Sequence, residues 1–91
     1  MPRYTVVAHK RVMRFLAGLG EQTTKDRILQ TIGRLADYPL SLRELDVAKL
    51  EGAERTFRVR IGRYRLIFHA DKKERTIFVT HLGTRESIYE G

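Results

Sequence analysis

The apolar residues of the N-terminal third predict a short strand followed by a helix. Residues 3–8 alternate between polar and apolar side chains and are rich in β-branched residues, which is typical of a strand. In the next segment the apolar residues recur at helical spacing until Gly20, which ends the predicted helix. The residues of this apolar stripe are Val12, Phe15, Leu16 and Leu19.

A second helix is predicted before Pro39, because proline restricts the residue that precedes it. Thr23 or Thr24 is the expected N-cap, and Asp26 in the first turn suits the helix dipole. The apolar stripe of this helix consists of Ile28, Ile32, Leu35 and Ala36. The short link predicts an antiparallel helical hairpin, and residues 39–52, which show no clear period, predict a loop packed along the core.

Three strands are predicted in the C-terminal half, at about 55–61, 63–70 and 75–82. Gly62 lies near the first reversal and residues 71–74 form the second. The order is therefore β-α-α-β-β-β. We expect an α+β fold in a single domain over residues 1–91, with the N-terminal strand and a three-stranded antiparallel meander in one sheet.

The alternation along two of these strands predicts one buried face and one arginine-rich face. The predicted inward residues are Phe57, Val59 and Ile61 on the first strand and Tyr64, Leu66, Phe68 and Ala70 on the second. The predicted outward residues are Thr56, Arg58 and Arg60 on the first strand and Arg63, Arg65, Ile67 and His69 on the second. Periodicity alone does not assign the inward face of strand 75–82.

The charge distribution indicates a polyanionic partner. The chain has a net charge of +7, and no Asp or Glu lies between Arg55 and Arg65 in a stretch that also contains Arg58, Arg60 and Arg63. A basic patch of this kind binds nucleic acid or an acidic protein. The structural alternative is a solvated outer face, in which arginine stems cover apolar surface.

Several classes of protein are excluded or disfavoured. The absence of cysteine excludes disulfides and thiolate metal sites, and His9, His69 and His81 lack the spacing of a zinc site. No apolar run has the length of a membrane span or the form of a signal peptide. We therefore expect a cytoplasmic protein that uses no metal or cofactor and has no membrane partner.

Four elements of the sequence, in this order, resemble the RelE/ParE toxin superfamily, and its RelE-like branch in particular. They are Lys49-Leu50-Glu51-Gly52, Gly62-Arg63-Tyr64-Arg65, Gly83-Thr84-Arg85 and the terminal Tyr89. The resemblance covers nearly the whole chain and implies a fold similar to microbial ribonucleases. It also implies the toxin of a type II toxin–antitoxin system, restrained by a cognate acidic antitoxin of RelB type.

The resemblance further implies an endoribonuclease that cuts mRNA in the ribosomal A site by metal-independent attack of a 2′-OH on phosphate. It implies catalytic roles for Arg65, Arg85, Tyr89 and Arg60, with His81 as a further candidate. The residues expected to bind RNA are Arg58, Arg60, Arg55, Arg63 and Lys49. The sequence departs from the family pattern in two ways that concern the groups expected to transfer protons in this reaction. Arginine replaces lysine at positions 58 and 60, and the segment from Arg85 to Tyr89 is short.

Two other functions remain open at this stage. ParE-like members of the superfamily bind DNA gyrase and do not cut RNA, which makes a gyrase inhibitor the first alternative. The second is an inactive RNA-binding module, which would keep the arginines but tolerate the loss of Tyr89 and His81.

Overall fold

The computed structural model describes residues 3–84, which form two helices packed on one face of a five-stranded sheet. The elements are β1 (Thr5–Ala8), α1 (Lys10–Gly18), α2 (Gln22–Arg34), β2 (Val47–Lys49), β3 (Thr56–Ile61), β4 (Tyr64–Asp71) and β5 (Thr76–Thr84). The strand order is β1-β5-β4-β3-β2; β1 runs parallel to β5, and the other neighbours are antiparallel. The predicted α+β class is confirmed, with one strand more than expected.

The additional strand, β2, lies inside the segment that was predicted to be a loop. Two 3₁₀ turns, Leu35–Asp37 and Leu40–Arg43, precede it. Val47 pairs with Val59 and packs against the core, whereas the other two residues of β2 are exposed at the sheet edge. Three residues are too few to show a period of two, so the sequence pattern alone cannot reveal this strand.

The start of α2 differs from the prediction. The helix begins at Gln22 and its N-cap position is Glu21, so Thr23 and Thr24 lie in the first turn. The Thr24 hydroxyl donates a hydrogen bond to the Glu21 carboxylate. Within residues 3–84, neither helix has the length and apolar character needed to cross a membrane.

The core lies between the two helices and the inner face of the sheet. Val12, Leu16, Ile28 and Leu35 supply the helical side of the core, as their stripes predicted. The buried strand residues are Phe57, Val59, Ile61, Leu66, Phe68, Ala70, Ile77, Val79 and Leu82. Because Arg58, Arg60, Arg65 and Ile67 alternate with them, the faces predicted for β3 and β4 are confirmed.

A β-bulge in β5 explains why the inward face of this strand could not be read from periodicity. Phe68 pairs with Val79, but the preceding Ile67 pairs with His81, so Thr80 is an extra residue. A bulge shifts the alternation by one position. Ile77 and Val79 therefore point inward before the bulge, while His81, two residues further on, points outward.

Phe68 should be the most costly side chain to truncate in this core. Its ring is fully buried and stacks on the Phe57 ring with 5.2 Å between the ring centroids. It also contacts the Tyr38 ring edge-on, with 6.4 Å between the centroids. We expect Phe68→Ala to lower the free energy of unfolding by about 3–5 kcal/mol, measured by urea denaturation.

Phe78→Ala is the matched control, since Phe78 lies on β5 with its ring turned outward and 37% exposed. Its truncation should cost well under half as much. If Phe68→Ala and Phe78→Ala lowered the free energy of unfolding equally, the assignment of inner and outer faces would be contradicted.

Candidate nucleic-acid interface

The sheet face turned away from the helices includes three rows of side chains aligned across the strands, followed by a fourth row of Asp71, Thr76 and Thr5. Directly paired residues share a face, so the rows follow from the strand register. The first row is Arg60, Arg65 and Gly83; the second is Ala48, Arg58, Ile67 and His81; the third is Thr56, His69, Phe78 and Val7. We call this surface the open face.

The first row places two like charges directly opposite each other. Arg60 on β3 pairs with Arg65 on β4, and Arg58 lies in the adjoining row. Like charges in this arrangement destabilise a sheet. The three arginines border a depression of about 190 Å³, completed by Asp46 and Ala48, which we call the arginine depression.

Asp46 supplies an acidic group that the linear sequence did not place in this patch. Its backbone carbonyl accepts a hydrogen bond from the Arg60 N–H at 2.9 Å, and its Oδ2 accepts one from Arg60 Nε at 2.8 Å. Although no acidic residue lies between Arg55 and Arg65 in the sequence, Arg60 thus has a carboxylate partner from another segment. The carboxylate partly offsets the repulsion between Arg60 and Arg65 and fixes the direction of the Arg60 guanidinium.

Three of the residues expected to bind RNA lie away from the arginine depression. Arg55 precedes β3 with a positive φ of 49° and pairs with Glu54 at 3.2 Å, and Arg63 lies in the turn between β3 and β4. Lys49 pairs across the sheet with the inward-facing Phe57, so it falls on the other side of β2 from Ala48. The register therefore groups Arg58, Arg60 and Arg65 and separates them from the other three.

Two histidines also lie on the open face. His69, predicted to be outward, has Nδ1 3.1 Å from Thr56 Oγ1. His81 reaches this face only because of the bulge, and its Nε2 lies 3.0 Å from an Nη atom of Arg11 on α1. Partial burial, together with the charge of Arg11 and the proximity of His9, lowers the pKa of His81 below its ordinary value.

Arg85 and Tyr89, two of the predicted catalytic residues, lie outside the described residues. Their roles stay predictions. In the described range, 3–84, no group of three His, Asp or Glu side chains is arranged to hold a metal ion. Among described residues the sequence reasoning missed Asp46 and Arg11, because neither belongs to a pattern and both reach the face from other elements.

Comparison with known proteins places this chain among toxin sequences. Residues 6–89 match the family model described as "ParE toxin of type II toxin-antitoxin system, parDE". A protein of Methanocaldococcus jannaschii named "Putative toxin RelE1" is 28% identical over 88 residues, which cover 97% of each chain.

Solved structures of RelE proteins have the same fold. The archaeal RelE–RelB complex from Pyrococcus horikoshii matches with a TM-score of 0.79 and 32% identity, over 93% of this chain and 97% of that one. The isolated Escherichia coli RelE toxin matches with a TM-score of 0.72 and 19% identity, over 96% and 92% of the two chains, and supports the fold alone.

Replacing Asp46 by asparagine should lower the free energy of unfolding by less than about 1 kcal/mol, because the pair with Arg60 is largely exposed. The loss should shrink at high salt. It should also be smaller in an Arg65→Thr background, where Arg60 no longer faces a second guanidinium. Urea denaturation of the wild type, the two single variants and the double variant, at low and high salt, measures this coupling.

Asp37→Asn is the control. It breaks an exposed ion pair in which Asp37 Oδ1 lies 3.2 Å from Arg3 Nε, and this pair is not on the open face. Its effect should not depend on residue 65. If Asp46→Asn costs the same in both backgrounds, Asp46 does not offset the repulsion between Arg60 and Arg65.

Proposed function

Since the chain belongs to the RelE/ParE family of toxins of type II toxin–antitoxin systems, we propose that it is an endoribonuclease that cuts mRNA in the ribosomal A site and thereby inhibits translation. The observation that carries this proposal is the direct pairing of Arg60 with Arg65, beside Arg58, on an open sheet face. A sheet that keeps such a repulsive pair accessible gains most when an anion lies between the guanidinium groups.

The arginine depression suits the charge that develops when a ribose 2′-OH attacks its own phosphate. The phosphorane gains negative charge, and preorganised donors aimed at that charge usually contribute more to catalysis than any other single effect. Among the described residues Arg65 has no carboxylate within ion-pair distance, and one of its Nη atoms donates a hydrogen bond to the Tyr64 carbonyl at 3.3 Å. Its remaining donors can contact the phosphate. Arg60, held by Asp46, is suited to positioning the RNA backbone beside it.

The proton transfers need groups other than these arginines, because guanidinium keeps its proton. In the arginine depression, Asp46 is the side chain able to accept a proton, although one of its oxygens already accepts a hydrogen bond from Arg60. Tyr89, as base or as a stacking platform for a nucleobase, and His81 are the other candidates. We expect a weak nuclease on free RNA, one that depends on the ribosome to hold the message for in-line attack.

An acidic antitoxin is the proposed protein partner. The RelE chains from Pyrococcus horikoshii and Methanococcus jannaschii were solved as complexes with RelB. This chain has a net charge of +7 and exposes Met13, Leu29 and Leu40 on its helical side. Charge and apolar surface together favour an acidic, amphipathic segment that wraps the toxin and shields the open face.

Gyrase inhibition remains the second candidate, because the matching family model is described as a ParE toxin. A gyrase inhibitor would need a protein-binding surface but no phosphate contacts at Arg65. A DNA supercoiling assay with the purified toxin tests this alternative. Inhibition of supercoiling that persists in Arg65→Ala, with translation unaffected, would replace the nuclease proposal.

Arg65→Ala should lower the rate of message cleavage by about 10²–10³-fold, the usual cost of one donor to developing charge. Arg85→Ala, outside the described residues, is expected to behave in the same way. The measurement is translation in a cell-free extract followed by primer extension, which locates cuts within translated codons.

Two further variants separate geometry from charge. Arg65→Lys keeps the charge but loses the bidentate fork, so it should stay well below wild type. Lys73→Ala removes one positive charge from the exposed turn before β5 and should cleave at the wild-type rate. Full cleavage by a folded Arg65→Ala protein would refute the proposed role of the arginine depression.

A further inference from the structure

Three side chains from two separate parts of the chain meet beside β5 at the start of α1. Arg11, in the first turn of α1, extends one Nη to within 3.0 Å of His81 Nε2. Its Nε donates a hydrogen bond of 3.1 Å to Nδ1 of His9, the N-cap residue of the helix. We call His9, Arg11 and His81 the corner cluster.

The contacts of the corner cluster favour the neutral form of both imidazoles. Guanidinium has only donors, so His81 Nε2 accepts from Arg11. His9 Nδ1 accepts from both the backbone N–H and Nε of Arg11, while an Nη of Arg11 also lies 3.4 Å from His9 Nε2. The hydrogen of His81 then lies on Nδ1, which is 3.0 Å from Thr80 Oγ1, and the Thr80 hydroxyl donates in turn to the Ile67 carbonyl at 3.3 Å. Consistent with this chain of bonds, desolvation and neighbouring positive charge lower the pKa of both histidines.

The surroundings of the corner cluster are positively charged. Lys10 and Arg14 lie beside His9, and within residues 3–84 no carboxylate pairs with Lys10, Arg11 or Arg14. The first turn of α1 contains no acidic residue. Cations at this end of a helix oppose its dipole, which favours negative charge. The local charges therefore conflict, and a bound anion would relieve the conflict.

The corner cluster lies at the end of a row that begins in the arginine depression. Arg58 pairs with Ile67, and Ile67 pairs with His81, so Arg58 and His81 are two strand spacings apart, about 10 Å. Arg65 lies in the adjoining row of β4, opposite Gly83 on β5, and is a further cation of the open face. A single strand of RNA that lies along the open face can therefore contact both the arginine depression and the corner cluster.

We propose that the corner cluster is a second phosphate-binding site, which takes an RNA phosphodiester and couples its binding to protonation of His81. In the free protein, Arg11 Nη donates a hydrogen bond to His81 Nε2. When the phosphate binds, Arg11 Nη donates to a phosphate oxygen instead. Nε2 then takes a proton from solvent and donates it in a hydrogen bond to the same phosphate. The inference rests on the proposed function for the identity of the ligand, and it adds a site that lies outside the arginine depression.

The test is an NMR titration of the His9 and His81 ring signals against pH. The probe is a short single-stranded oligoribonucleotide with 2′-O-methyl groups, which cannot be cut by 2′-OH attack. We expect the pKa of His81 to lie below its ordinary value in the free protein and to rise when the probe binds. Affinity for the probe should increase as the pH falls through this range, by no more than about tenfold per pH unit for one proton.

Two substitutions separate this role from a structural one. His81→Gln keeps an acceptor but cannot be charged, so the probe should bind with a flatter pH dependence. Arg11→Gln should weaken binding and, in the free protein, raise the pKa of His81, since Arg11 holds it down. Lys72→Gln, in the turn after β4, removes a charge elsewhere and should keep the full pH dependence.

A second experiment distinguishes messenger RNA from ribosomal RNA as the ligand. It measures co-sedimentation of the protein with ribosomes that lack a message, at several pH values. A pH dependence abolished by His81→Gln in either experiment supports the site, on messenger RNA in the first and on ribosomal RNA in the second. A pKa of His81 unmoved by the probe, with equal binding of wild type and His81→Gln in both experiments, overturns the inference. Cleavage assays on the wild type report separately on the proposed function, which stands or fails independently of this result.

Discussion

The register between β3 and β4 is the constraint on which both the core and the open face depend. Val59 pairs with Leu66 and Phe57 with Phe68 on the inner face, and burial of these side chains specifies the alignment strongly. The same alignment places Arg60 opposite Arg65 on the outer face. A slip of one residue would exchange the two faces, so the stability of the apolar core holds the arginines together against their mutual repulsion.

Within residues 3–84, positive charge is concentrated at the arginine depression and at the start of α1. Asp46 offsets one arginine of the open face, and the start of α1 has cations where a helix favours carboxylates. Such conflicts lower stability, and an anion bound at either place would relieve them. The arrangement suits the two partners proposed above, RNA and an acidic antitoxin, since each would supply negative charge.

The bulge at Thr80 links the fold to the candidate chemistry. It leaves Ile77 and Val79 in the core while turning His81 to the open face, where Arg11 can reach it. Without the extra residue, His81 would follow the alternation of Ile77 and Val79 into the core. One inserted residue thus changes a histidine from a core position to a surface position beside cations.

The amino-acid sequence by itself determined the α+β class, both helical stripes, the faces of β3 and β4 and the family resemblance, because these depend on local periodicity and on motifs contiguous in the chain. Only the tertiary structure decided which charges meet. Asp46 reaches Arg60 from a segment without periodicity, Lys49 falls on the other side of the sheet, and Arg11 meets His81 across 70 positions. Contacts of this kind depend on how strands pair and helices dock, and no local pattern of polar and apolar residues encodes them.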